Sequence, residues 1–167
     1  QNAFEVYKKV VEADSGQVIG EDNFFDIAKG YPFGIYKEGS EDIVRDPITV
    51  NEKGELICVG EVPENSVLNI LKGEADGLVQ SATQAAVDCR PAEGQNISEA
   101  WVVDCISRVL FLEEDFHLEL QAIIDEIVKT DESLTLAGVL SLGEISSDGN
   151  GVLEFFNKTI VLGLLHE

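Results

Sequence analysis

The stretch AWVVDCISRVLFLEEDFHLELQAIIDEIV, residues 100–128, joins a run of strand character to a long acidic amphipathic helix. Ala100–Cys105 reads as a strand. Beyond it, Leu112, Phe116, Leu120, Ile123, Ile124 and Ile127 recur at helix-face spacing. Glu113, Glu114 and Asp115 fall near the N-terminal end of that helix, where the helix dipole favours negative charge. Cys105 and Arg108 stand three apart at the joint. With a helix starting at about Ile106, both project to one side of its first turn. The joint is a candidate for chemistry, for ligand recognition, or for nothing more than the end of a buried strand.

Outward from that joint, AFEVYKKVVEA (3–13) places Phe4, Tyr7, Val10 and Val11 on one helical face, and NFFDIAKG forms a second short apolar segment that Tyr31-Pro32 stops. DIVRDPITV, ELICVG and SVLNILK are strand-like and separated by turn residues, which predicts an antiparallel meander. ADGLVQSATQAAVDC is helical, with Leu78, Ala82, Ala85, Ala86 and Cys89 aligned. LTLAGVLSLGEI and LEFFNKTIVLGLL are two long β segments whose joint contains Asn150-Gly151, a strong hairpin signal. Strands arranged in hairpins rather than alternating with helices predict an α+β fold with a mainly antiparallel sheet, helices packed on it, and a closing hairpin.

The 167 residues fit one domain, which buries about 70% of the surface its unfolded chain exposes. The chain starts at Gln1 and contains no Met, so the expectation is that residues 1–167 are a domain cut from a longer protein, with neighbouring domains of the same polypeptide as partners. Thirty-two acids against eleven bases give a formal charge of −21, which disfavours phosphate backbones and anionic membrane surfaces as partners. No apolar run reaches the ~18 residues of a membrane span, and no basic-then-apolar leader opens the chain. Cys58, Cys89 and Cys105 make neither a disulfide framework nor a zinc knuckle, and with only His117 and His166 beside them a metal site lacks ligands. Free thiols point to a cytoplasmic setting. No cofactor motif is present: no phosphate-cradling glycine loop occurs, and DGNGVLEF lacks the spaced acids of a calcium loop.

Cys105 with His117 as its base is the arrangement of a cysteine hydrolase, against which stands the ordinary buried thiol. The expectation is no catalysis. Arg108 is one of three arginines. It is either half of an internal ion pair or a fork for a ligand's carboxylate. In a hairpin pivoting on Asn150-Gly151, Glu144 lies opposite Asn157, and Thr159 shares their face. Leu136, Leu140 and Leu142 continue that face, so polar groups gather at the end of an apolar stripe, as in a small-molecule pocket.

VVDCISRVLFL, HLELQAIIDEI, LAGVLSLGEI and LEFFNKTIVLGLL, in this order, resemble the C-terminal domain of the FIST sensory proteins. That family is similar in its strand ending in Cys-x-x-Arg, its Glu-Leu helix, its Gly-Glu-Ile strand and its Asn-x-Thr strand. NAFEVYKKVV looks like its opening helix, and VRDPITVNEKGELICVGEVPEN like its Arg-led meander and turn. The resemblance implies a sensory, ligand-binding domain of signal transduction proteins, taking small molecules such as amino acids. It carries the site to Cys105, Arg108, Gly143, Glu144, Asn157 and Thr159, with Arg45 beside them. Ser107 stands where the family pattern has Gly, Asp104 where it has a small residue, and Asn65 in place of the turn Gly. Asp104 thus brings a carboxylate to the expected site. The chemistry these residues imply is a zwitterion, with its carboxylate on Arg108 and its ammonium on Glu144.

Overall fold

Two runs of sequence that read as continuous, the meander strand at 42–50 and the helix at 106–128, are both interrupted in the fold. The computed structural model describes residues 2–92, 95–129, 132–147 and 153–166. The chain divides into two units, Gln1–Gly73 and Glu74–Glu167. Its class is α+β, with mainly antiparallel strands and helices packed on them. Among the described residues no helix is long and apolar enough to cross a membrane.

In the first unit, helix α1 (Ala3–Ser15) starts at Asn2, whose Oδ1 accepts the Glu5 N–H at 2.9 Å. It ends at Gly16, whose φ of +69° suits the left-handed closing position. Tyr7 and Val11 point inward and meet Ile19, Phe33, and Phe24, Ile27 and Ala28 of α2 (Phe24–Ala28). The Tyr7 and Phe33 rings pack edge-on at 5.4 Å. Val10, expected on this face, is exposed.

The predicted meander is corrected by two features. DIVRDPITV breaks at Asp46 into β2 (Ile43–Arg45) and β3 (Pro47–Val50), because Pro47 has no N–H to continue a ladder. A strand too short for its alternation to register, β1 (Phe33–Ile35), takes the centre of a sheet between β2 and β5 (Leu68–Ile70), antiparallel to both. β3 pairs with β4 (Leu56–Cys58) as a separate hairpin, its turn held by Asn51 Oδ1 accepting the Lys53 and Glu55 N–H groups.

The second unit is built on β6 (Ile97–Cys105), flanked by β10 (Ile160–His166) and β7 (Leu136–Ser141). β10 runs antiparallel to β6, pairing Ile160 with Asp104 and Leu164 with Ala100. β7 runs parallel, pairing Leu136 with Ala100 and Leu140 with Asp104. That is the exception to the antiparallel pattern. Its cause is the helical segment between the two strands, which returns the chain to the same end of the sheet. The segment comprises α4 (Ile106–Leu112), a single 3₁₀ turn at Glu113–Asp115, and α5 (Phe116–Val128). Glu113 adopts a φ of +51°, so the expected long helix is kinked where three acids follow one another.

Ala100, Val102 and Asp104 alternate onto one face of β6. On that face Ala100 packs with Ala82 and Ala86 of α3 (Ala75–Asp88), with Ile123 and Ile127 of α5, and with Leu134. The buried stripe of α5 therefore runs through Glu119, Ile123, Glu126 and Ile127. Leu120 and Ile124, expected in it, lie to its side.

The closing hairpin is β8 (Glu144–Ser146) with β9 (Glu154–Phe156). Glu144 pairs with Phe156, one residue from the expected Asn157. The expected arms are also longer than those found, because β6 separates β7 from β10. The Asn150-Gly151 turn lies outside the described residues. Gly143 precedes β8 at a close approach: a Cβ there would run into the Phe155 ring and stand 2.9 Å from the Phe156 carbonyl oxygen. Gly143→Ala should therefore lose ~1–3 kcal/mol in urea unfolding. An unchanged midpoint would show that the hairpin yields freely at this point.

Candidate functional site: a buried guanidinium and an acidic groove

Arg108 lies in the first turns of α4 and is almost wholly buried. Every nitrogen of its guanidinium donates within the unit. Nε donates to Glu119 Oε1 at 3.2 Å, and Nη2 to Glu119 Oε2 and to the Leu78 carbonyl at 2.9 Å. Nη1 donates to the Lys158 carbonyl at 3.3 Å. The fork therefore ties α4 to α5, α3 and the loop between β9 and β10. A buried charge is tolerable only with such complete pairing.

Asp104 Oδ1 stands 3.6 Å from Arg108 Nε, too far for a hydrogen bond. Among the described residues no hydrogen-bond donor reaches either Asp104 oxygen, although the side chain is buried. Burial, helped by the Glu119 carboxylate, pushes its carboxyl up to about 7 against the pull of Arg108; Glu144 adds to the rise. The Asp104 carboxyl therefore holds its proton toward neutrality, with the Glu119 carboxylate and the Arg108 guanidinium beside it.

The residues after β9 form a clasp at the same joint. Asn157 Nδ2 donates to the Leu142 carbonyl at 3.0 Å, Thr159 Oγ1 to Glu144 Oε2 at 2.6 Å, and Lys158 Nζ to the Ser107 carbonyl at 3.3 Å. Ser141 Oγ completes the buried Glu144 with a 2.6 Å bond to Oε1. The Cys105 N–H donates to the Thr159 carbonyl at 3.2 Å. The joint is thus the meeting point of β6, α4, β8 and the Asn157–Thr159 loop.

A family model described as the FIST C domain matches residues 3–147. The chain belongs to the FIST C domain family. No curated protein and no solved structure matches it.

In this FIST C domain the expected residues fall into three groups. Glu144 and Thr159 meet through a hydrogen bond, whereas Asn157, expected opposite Glu144, donates to the Leu142 carbonyl, with Gly143 setting the approach of the strands. Arg108 has the internal partners of an ion pair. Cys105 is buried with Sγ 3.2 Å from Ser107 Oγ, and burial raises its thiol, the reverse of an activated nucleophile. His117 is exposed, its Nδ1 2.6 Å from the Glu114 carbonyl oxygen. Arg45 belongs to the first unit, where Nε donates to the Glu61 carbonyl at 2.9 Å and Nη1 to the Val44 carbonyl at 2.8 Å.

Two open spaces among the described residues are roomy enough to consider. A cavity of about 530 Å³ in the first unit is lined by Asn2, Phe4, Phe24, Val50 and Asn51 among others. Its amides are already used: Asn2 caps α1 and Asn51 holds the β3–β4 turn. A smaller groove of about 250 Å³ lies between α5 and β7, walled by Phe116, Leu120, Ile124, Leu136 and Leu140, with Val102 and Asp104 in its lining. Leu120 and Ile124, which the helical period placed in the core, face this groove instead.

The groove joins an apolar wall to an unsatisfied buried acid, and for that reason it, rather than the larger cavity, is the candidate site. Glu119, the partner of Arg108, belongs to the Glu-Leu pair of the resemblance but is not placed at the site by apolar periodicity, because it is charged. Its position four and eight residues before Ile123 and Ile127 is the signal that places it on the buried face.

Asp104 also makes stability depend on pH in a defined direction. Its carboxyl is raised in the folded state, so the unfolded chain ionises first. The proton-linked stability is full below the ordinary aspartate range and is lost as pH rises toward about 7. Asp104→Asn presents an amide to Glu119 and should not follow that decline. In paired urea titrations its stability relative to wild type should grow between about pH 4 and 7, then level off. A difference independent of pH would mean that Asp104 holds no such proton.

Proposed function

We propose that this FIST C domain is the sensory domain of a signal transduction protein, binding a small metabolite of amino-acid size in the groove between α5 and β7. The observation that carries this reading is the groove itself, with apolar walls and a buried carboxyl that no donor among the described residues reaches. Family membership supports the sensory role, and three free cysteines support a cytoplasmic setting. Binding rather than catalysis is supported by a raised, buried Cys105 and an exposed His117 engaged elsewhere.

The signal would be a population shift. α5 forms one wall of the groove and carries Glu119, so a ligand that changes the set of α5 changes the Arg108 clasp and the surface offered to neighbouring domains. A second reading rests on exposed apolar side chains beside β7: Val139 is 56% exposed, Leu142 72% and Ile145 68%. β7 is an edge strand, and a neighbouring domain of the same polypeptide could cover it.

The test is a melting screen of amino acids and their amine and alcohol counterparts at moderate salt. A ligand at a hundredfold excess over Kd should add about 2.7 kcal/mol and raise the melting point by several degrees. Ile124 is a partly exposed wall residue, so Ile124→Trp should fill the groove without disturbing the core and abolish the shift. Absence of any shift, or a shift that survives Ile124→Trp, would remove the groove reading and leave the edge-strand reading.

A further inference from the structure

Resting on the groove reading above, we propose that the groove selects a primary amine with a short apolar body, whose ammonium docks on Asp104 with release of a proton.

The lining residues decide the charge of the ligand. Among the described residues that line it, Asp104 is the one ionisable side chain, with no lysine or arginine beside it. Arg108 is not in the lining, and four of its five N–H donors are already taken by Glu119 and the Leu78 and Lys158 carbonyls. A zwitterion would therefore bring its anionic end to a wall without a counter-charge, in a chain of net charge −21. An amine avoids that penalty. Its ammonium supplies up to three donors to a buried carboxyl that has none among the described residues.

The walls decide the rest. Phe116, Leu120, Ile124, Leu136 and Leu140 are apolar, and about 250 Å³ suits a small branched alkyl group. Among the described residues no cluster of three or more His, Cys, Asp or Glu side chains is spaced to hold a metal ion, so a compact cation has no cage here.

The proton follows from the neighbours of Asp104: Arg108 from α4, Glu119 from α5 and Glu144 from β8. Two of the three are acids, and with burial they keep a proton on the carboxyl. That proton leaves to solvent as the ammonium arrives, so the charge of the site is exchanged rather than added. An alkylammonium keeps its own charge until about pH 10, as a lysine does. Affinity should then rise with pH across neutrality and flatten once Asp104 is ionised.

Calorimetry on the whole chain with three probes tests this: 3-methylbutylamine, its neutral counterpart 3-methylbutan-1-ol, and L-leucine. The amine is expected to bind about tenfold or more tightly than the alcohol at pH 8. That advantage should shrink at pH 6, and L-leucine should bind more weakly than the amine. Asp104→Asn should erase the advantage of the amine over the alcohol. The amine should also keep its advantage as salt rises, because the acid is buried. If amine and alcohol bind alike, or the advantage is flat with pH, or L-leucine binds more tightly, amine selection is overturned while the groove reading stands. If none of the three binds, both fall. Should Asp104→Asn fail to fold, the wild-type pH series decides the matter alone.

Discussion

A single buried guanidinium organises the second unit. Arg108 is held by a carboxylate from α5, a carbonyl from α3 and a carbonyl from the loop entering β10, so three elements distant in sequence must be in place before its charge is satisfied. Removing a charge from water is expensive by several kcal/mol, and pairing repays it only when the geometry is complete. The requirement therefore acts less as a source of stability than as a condition on arrangement. A planar fork is suited to it, since one side chain reaches three directions at fixed angles. The short strand–helix junction after Cys105 places that fork in the interior, and the kink at Glu113 swings α5 back so that Glu119 can meet it.

Much of this was legible in the sequence, and the gaps have physical causes. Helices α1 and α3 and strand β6 were readable because their apolar periods are long enough to be unambiguous. Glu144 and Thr159 could be brought together from hairpin arithmetic, although the register is one residue away. The approach works because Thr159 follows Lys158, whose φ of +57° turns the chain back toward β8. What could not be read was the insertion of β6 between β7 and β10, since pairing across a long crossover leaves no local mark. β1 was hidden by its three residues. Charge concealed Glu119, because apolar periodicity passes over an acid even where that acid faces inward. Asp104 was visible as a departure from the family pattern, and it proved to be the acid in the lining of the groove.

The family match ends at residue 147, while the second unit of the chain continues past it. Asn157, the Lys158 carbonyl and Thr159 complete the joint, and β10 supplies one whole flank of β6. A fragment cut at the end of the match would leave the central strand with a bare ladder of peptide groups and the buried guanidinium short of an acceptor. Such an edge invites pairing with other chains. Residues 153–166 are thus a tenon closing the sheet, and the second unit in this chain extends beyond the boundary of its family signature.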